Sequence, residues 1–399
     1  MSDPLDGRRI VLAVSGSIAS YKAAEITSRL VQSGAEVDVA LTAAALKFIT
    51  PLTFRSLTGR EPYTDMFHPP GEQGVAHVEL ARRADLMLVA PATATTMARL
   101  AQGLADDFVA LTALATQAPL LLAPAMDAQM WEHEATQVNR TTLEGRGVQL
   151  LGPVAGRLAS GRVGAGRMME PAAIVELVKA RLGRERGDLS GTRMVVTAGG
   201  TREAIDPVRF VGNHSSGKMG YALAEAARDR GAEVVLITTA SLADPVAVRV
   251  VRVESALEML EAVRGECERT DVLVMPAAVA DYRPEAAAEQ KIKRAGQSEI
   301  SIDLVENPDI SATVSGNFVK VVFAAETQDL TANAHKKLAQ KGAQLIVAND
   351  VTAEDAGFGT DTNRVTILDP DGGADELPLM SKYDVSVRVL DRVATLLER

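Results

Sequence analysis

Arg9-Ile10-Val11-Leu12-Ala13-Val14-Ser15 runs straight into Gly16-Ser17-Ile18-Ala19, after which Ala23, Ile26 and Leu30 recur at a spacing of three and four. The apolar run predicts a strand, the glycine turn its end, and the three-four spacing an amphipathic helix. Gly34 closes that helix as a C′ glycine, and Glu36–Leu41 forms the next apolar run. Further runs follow at Leu86–Ala90, Leu120–Ala123 and Val148–Leu151, separated by helical patterns. Strands alternating with helices predict a parallel sheet covered on both faces.

The plan then repeats. Met194–Thr197 reads as a strand with Gly199-Gly200 after it, and Gly217–Arg230 reads as a helix with Ala222, Leu223 and Ala226 on one face. Gly231-Ala232-Glu233-Val234 echoes Gly34-Ala35-Glu36-Val37, and Pro276–Ala280 echoes Pro91–Thr95 after each third strand. The expected fold is therefore α/β, with two tandem Rossmann-like, doubly wound parallel-sheet domains over residues 1–182 and 191–399. Arg181–Asp188 is charged and has no apolar period, so the linker is placed at 183–190.

The bulk composition fits this plan. A chain of 399 residues is long for one domain. It is 47% hydrophobic but only 4% aromatic, which suits Ala/Val/Leu-rich layers better than a β-sandwich. A formal net charge of −10 argues against nucleic acid or an anionic membrane as partner. The single cysteine, Cys267, excludes an intramolecular disulfide and reads as a packing residue. No leader pattern precedes Arg8 and no apolar run approaches membrane length, so a soluble cytoplasmic protein is expected.

Open doubly wound sheets bind ligands outside the carboxyl ends of their strands. Ser15-Gly16-Ser17, Thr42, Pro91–Thr95 and Pro124–Asp127 all follow apolar runs. Gly16–Ser20 offers N–H groups and hydroxyls at a helix start, which is either an anion site or an ordinary turn. It is not GxGxxG, so a single phosphate fits better than a dinucleotide. His77, in Val75–Leu80, is of the right type for acid–base work near neutral pH, or is a cap or surface residue. Trp131 reads as a packing anchor, and Gly161–Met168 as a glycine-rich flap or mobile surface loop.

His77 within HVEL, PATAT at 91–95, PAMDAQMW at 124–131 and the 161–168 flap resemble the flavin-dependent cysteine decarboxylases. The resemblance implies a flavodoxin-like first domain with FMN bound by Gly16, Ser17, Ile18, Ala19, Thr42, Pro91, Ala92, Thr93, Thr95, Ala125 and Met126. It makes His77 the active-site acid/base and FMN the electron sink that a cysteine carboxylate lacks. Two positions depart from the family pattern: Asp127 stands where the family has Asn, and Ser160 stands where many members carry a proton-donating Cys. An ionised Asp cannot donate to a substrate carboxylate, and a serine is a far weaker acid than a thiol.

In the second half, Gly212–Lys218 looks like a P-loop but is followed by Met219, where that loop needs Ser or Thr. Asp206–Arg209, Asn213–Gly220, Ala277–Tyr282, Lys291–Lys293, Asn307–Ile310, Phe323–Thr327 and Asn349-Asp350, taken together and in this order, are similar to phosphopantothenate–cysteine ligases. The resemblance spans nearly all of 190–399. It implies CTP as co-substrate and an acyl-cytidylate that cysteine then attacks. Lys291 is the implied stabiliser of the α-phosphate, and Asn213 holds the acyl-cytidylate. Ala277, Ala278, Val279, Asp281, Pro308, Asp309, Ile310, Ser311, Phe323, Lys337 and Lys341 form the implied CTP site, Ser215, Ser216 and Gly217 line the pocket, and Asp281 holds Mg²⁺. A family that joins both activities in this order would carry out two consecutive steps of coenzyme A biosynthesis. It would form a homo-oligomer of decarboxylase trimers linked by ligase dimers, up to a dodecamer. Rival readings are a two-domain nicotinamide oxidoreductase, a non-catalytic flavoprotein regulator and a prenyl-flavin-type transferase.

Overall fold

The computed structural model describes residues 3–70, 75–293, 299–326, 338, 340–350 and 359–398. The chain divides into two compact units, Ser2–Leu182 and Gly183–Arg399.

The first unit is wound from β1 (Arg9–Val14), α1 (Ser20–Gln32), β2 (Glu36–Leu41), α2 (Pro51–Thr58), α3 (Ala76–Arg83), β3 (Leu86–Ala92), α4 (Ala94–Gln102), α5 (Phe108–Ala115), β4 (Leu120–Pro124), α6 (Ala128–Glu132), α7 (Glu134–Gly145) and β5 (Gln149–Leu150). The five strands lie in the order β2-β1-β3-β4-β5, and every pairing is parallel. This is the flavodoxin-type order, with its switch point between β1 and β3. Side chains along a strand alternate between faces. Accordingly Ile10, Leu12 and Val14 belong to one core cluster, while Val11 and Ala13 belong to the other. Trp131 packs in the second cluster, as its reading as an anchor requires.

Two elements depart from expectation. The flap is an antiparallel hairpin of β6 (Val154–Arg157) and β7 (Val163–Arg167), not a loose loop. Its glycines let it lie close to the neighbouring backbone, and the Met126 amide donates to the Gly166 carbonyl at 3.0 Å. Residues 183–186, read as the start of a linker, finish α8 (Pro171–Arg186), and a turn follows. Arginine and glutamate are good helix formers, and cations suit a helix C-terminus. Gly183 is there for close approach, since a Cβ would lie 2.2 Å from the Asp229 carbonyl oxygen.

The second unit contains β8 (Arg193–Ala198), β9 (Arg202–Ala204), β10 (Phe210–Gly212), α9 (Lys218–Asp229), β11 (Glu233–Thr238), β12 (Arg249–Arg252), α10 (Ala256–Cys267) and β13 (Val272–Met275). It continues with β14 (Tyr282–Pro284), β15 (Leu304–Glu306), α11 (Ile310–Thr313), β16 (Val319–Glu326), β17 (Leu345–Asp350), β18 (Thr362–Asn363), β19 (Val365–Leu368), β20 (Ala374–Glu376), β21 (Met380–Ser381) and α12 (Lys382–Leu397). The main sheet runs β12-β11-β8-β13-β16-β17-β19-β20. Its first six strands are parallel in the dinucleotide-fold order 3-2-1-4-5-6, and β19 and β20 extend it antiparallel. The repeat of the first plan therefore holds only in part: β12 adds a strand at one edge, so β13 is the fourth strand rather than the expected third, and β19 and β20 extend the other edge.

Candidate active sites

A cavity of about 1040 Å³ lies outside the carboxyl ends of β1, β3 and β4, under the β6–β7 flap. Gly16, Ser17, Ile18, Ala19, Thr42, Thr93, Thr95, Ala125, Met126, Asp127 and Ser160 all line it. Pro91 and Ala92 do not; they lie in the wall behind. The buried Ser15 hydroxyl donates to the Pro91 carbonyl at 2.7 Å and accepts from the Thr93 amide at 3.0 Å. Ser15 therefore ties the first turn to the PATAT stretch. The Ser20 hydroxyl donates to the Ser15 and Ser17 carbonyls and holds the turn at the start of α1. The first turn of α1 has no acidic residue, so its positive end is open to an anion. Gly16 is obligatory here, since a Cβ would fall 2.8 Å from the Ala44 carbonyl carbon.

His77 is not among the lining residues. It sits on α3, its ring edge-on to Phe108 with centroids 6.4 Å apart. Lys22 and Arg99, which sequence reasoning did not single out, do line the cavity. Lys22 is buried, donates to the Met168 carbonyl at 3.2 Å and pairs with Glu170 at 3.1 Å. That contact holds the Glu170 carboxyl below its usual range. Arg99 is matched by Asp106 at 2.9 Å and Asp107 at 3.2 Å. The two positions that depart from the family pattern meet: the Ser160 hydroxyl donates to Asp127 Oδ2 at 2.6 Å. Asp127 also caps α6, accepting from the Gln129 amide at 3.1 Å. The Ser160 hydroxyl, then the Gln129 amide, hold the Asp127 carboxyl below its ordinary value.

A second cavity, about 640 Å³, opens at the switch point between β8 and β13. Asn213, Ser215, Ser216, Gly217, Ala277, Ala278, Val279, Asp281, Pro308, Asp309, Ile310, Ser311, Phe323 and Lys341 line it. Lys337 lies outside the described residues. The backbone after β13 is stitched to the end of β8: the Ala277 amide donates to Thr197 Oγ1 at 3.3 Å, and the Ala278 amide to the Gly199 carbonyl at 2.8 Å. Asn213 reaches across and donates to the Val279 carbonyl at 3.0 Å.

Lys291 is exposed and does not line this cavity. The next peptide is held on both sides. The Ile292 amide donates to Asp206 Oδ2 at 3.1 Å, and the Ile292 carbonyl accepts from Arg209 at 2.8 Å. The Arg209 guanidinium, backed by the Val208 and Ile292 amides, holds the Asp206 carboxyl well below the carboxylate range. Among the described residues, no group of three His, Cys, Asp or Glu side chains surrounds Asp281 to form a metal cage. Two lysines that sequence reasoning did not assign to a ligand line the cavity. Lys218 pairs with Asp361 at 2.7 Å, and Lys382 is buried, which pushes its ammonium pKa down.

Fold and cavities together define a two-unit α/β protein with one cavity at the switch point of each sheet. The comparisons narrow this class. Residues 1–183 match the family model described as Flavoprotein, and residues 189–397 match the DNA/pantothenate metabolism flavoprotein C-terminal domain. The chain is 46% identical over 399 residues to the Coenzyme A biosynthesis bifunctional protein CoaBC of Vibrio vulnificus strain YJ016, covering 98% of this chain and 99% of that one. It is 46% identical over 398 residues to the protein of the same name from Bacillus subtilis strain 168, with 98% of each covered. Among solved structures it is similar to the C-terminal domain of a CoaBC protein, with 41% identity, a TM-score of 0.46, and coverage of 53% of this chain and 99% of that one. The chain belongs to the bifunctional coenzyme A biosynthesis protein family.

Proposed function

We propose that the second unit joins 4′-phosphopantothenate to cysteine at the expense of CTP, and that the first unit decarboxylates the 4′-phosphopantothenoylcysteine so formed to 4′-phosphopantetheine. One observation carries the reading: in each unit, family-matched residues far apart in sequence converge on a single cavity at a sheet switch point. Among the described residues no helix is long and apolar enough to cross a membrane, in keeping with a cytoplasmic enzyme.

The first cavity suits FMN in size and lining. It has an open helix N-terminus for a phosphate and walls of Ala94, Ala125, Met126 and Met168 for a flat ring. When bound, FMN supplies the electron sink for loss of CO₂. The protein orients it through Gly16–Ala19, Thr42 and Thr93–Thr95, and the hairpin covers the site against water. The Ser160 proton is committed to Asp127, which supports a role for Ser160 in holding the flap rather than as a free acid. His77 stands outside its own chain's cavity, while Ile18, Tyr21 and Met130 at the rim are 61%, 65% and 49% exposed. Both facts support a homo-oligomer in which His77 serves the site of a neighbouring copy.

In the second unit the phosphopantothenate carboxylate attacks the α-phosphate of CTP and pyrophosphate leaves. The cysteine amine then attacks the acyl-cytidylate carbonyl and CMP leaves. Negative charge builds on phosphate oxygens, so donors and cations are the useful groups. Lys291 would meet that charge from a segment anchored at Ile292, Asn213 would orient the acyl group, and Asp281 would be the protein carboxylate to share a Mg²⁺ ion with the nucleotide, the metal supplying charge neutralisation. Purified protein given 4′-phosphopantothenate, cysteine, CTP and Mg²⁺ is expected to release CMP, CO₂ and 4′-phosphopantetheine. A preparation that binds these substrates but forms no CMP would refute the ligase half.

A further inference from the structure

The second unit holds a buried ammonium that the mechanism above does not use. Lys320 is the second residue of β16, and its side chain is buried. Its Nζ donates to three backbone carbonyls: Ser311 at 2.8 Å, Val314 at 2.6 Å and Lys341 at 3.0 Å. An ammonium has three protons, so each one is used. Ser311 and Val314 lie on and just after α11, where helix carbonyls have no partner within the helix. Lys341 belongs to a different segment.

Those two segments face the cavity. Asp309, Ile310, Ser311 and Lys341 all line it, and Lys341 Nζ approaches Asp309 Oδ2 at 3.8 Å. Lys320 itself is absent from the lining; it sits behind the wall. Its main chain is fixed as well, the Lys320 amide donating to Gln344 Oε1 at 2.7 Å and the Gln344 amide to the Lys320 carbonyl at 2.9 Å. An apolar side chain could fill the same space, but it would leave three inward carbonyls without partners and remove a cation next to the pocket. Burying a charge is costly unless it is fully paired. Here burial pushes the Lys320 ammonium pKa down, yet three carbonyls satisfy it.

We infer that Lys320 is a positioning residue for the nucleoside triphosphate. It fixes the separation between α11 and Lys341, and its charge biases that wall toward a polyanion. The inference rests on the ligase reading and adds to it a residue that never touches the ligand.

The test uses the full-length protein. Lys320→Met is expected to raise KM and Kd for CTP about tenfold, a loss of ~1.4 kcal/mol. The same variant should keep kcat and KM for cysteine within about twofold, because only a wall of the nucleotide pocket has shifted. Lys320→Gln, which keeps donors without charge, should fall between. Unchanged CTP affinity in a folded Lys320→Met protein overturns the inference, as does an equal rise in KM for every substrate. Hydrogen exchange on the wild type supplies a reading that needs no variant. CTP should protect amides in 310–314 and 341–346 together, and protection of only one segment would also overturn the inference. A wild type that binds no CTP is a different failure, since it removes the ligase reading and this inference with it.

Discussion

The two cavities occupy the same place in their sheets but are built from different material. In the first, Lys22 pairs with Glu170 and Arg99 with Asp106 and Asp107, while Arg157 and Arg167 also line the cavity. The remaining wall is mostly backbone and small or thioether side chains. In the second, Lys341 lies 3.8 Å from its carboxylate, and Lys218 shares its ammonium between Asp361 and the Gly359 carbonyl. An apolar, backbone-walled site suits a cofactor that stays. A site lined by several lysines suits an anionic substrate that enters and leaves as product. The side chains proposed to react also differ in how they are carried. His77 is carried on a helix and packed against Phe108, so it can reach a cavity only as part of a rigid body. Lys291 precedes a single clamped peptide in a stretch with no helix or strand, so it can turn in from its own chain.

That contrast breaks first at the reacting residues, where effects are largest. His77→Asn should lower CO₂ release by roughly 10²–10⁴-fold, the usual worth of a positioned acid/base, while CMP formation continues. Loss of both would argue against two separate sites. Mixing this variant with a protein that cannot bind FMN should restore CO₂ release if His77 serves a neighbouring copy; failure of every mixture would return His77 to its own chain. Lys291→Gln is the mirror case. CMP formation should fall by roughly 10²–10³-fold, as for loss of an oxyanion donor. Supplied 4′-phosphopantothenoylcysteine should still lose CO₂ at the normal rate.

Much of this contrast was legible in sequence, and the parts that were not share a cause. Strands β1 to β4, β8 and helix α9 could be read because each is a run whose period its neighbours enforce. Most ligand-lining residues could be read because a doubly wound sheet puts its strand ends on one side. Strand order, and the antiparallel edge of β19 and β20, depend on pairings between distant segments, which no local pattern encodes. The flap read as a loop because glycines there signal close backbone contact as readily as flexibility. Lys22, Lys382 and Lys320 could not be picked out, because burial of a lysine is decided by carbonyls from other segments. The meeting of Ser160 with Asp127 joins residues 33 apart and could not be seen from either position alone. His77 and Lys291 were given their roles by resemblance to known families, which sequence reveals, but their distance from the cavities is a matter of geometry.

A smaller effect sharpens the idea of a fixed cofactor. Gly16→Val puts a Cβ 2.5 Å from the Ala44 Cβ and 2.8 Å from its carbonyl carbon, so backbone must move. Overpacking of this kind costs about 1–3 kcal/mol. The purified variant should lose most of its flavin absorbance, whereas CMP formation should be unchanged. A variant that keeps full FMN would show that the Gly16–Ala19 turn is not the phosphate cradle.

The smallest effect separates a latch from an acid at the flap. The folded-state pKa of Asp127 is depressed, first by the Ser160 hydroxyl. Any stability this group gives is therefore present above its ordinary value of about 3.9 and is lost as pH falls through the folded-state value. In Ser160→Ala the Asp127 carboxyl should move back up toward that ordinary value, followed by carbon-detected NMR titration of the aspartates. An unmoved Asp127 would mean that the hydroxyl points elsewhere in solution. The same variant tests the chemistry. If Ser160 only clips the flap to the start of α6, the product remains 4′-phosphopantetheine and the rate falls a few-fold at most, as expected for loss of one exposed hydrogen bond. Accumulation of the unsaturated enethiol would instead make the hydroxyl the last proton donor. The pairing with Asp127 favours the first outcome, because an ionised carboxylate that accepts the serine proton makes that proton harder, not easier, to give away.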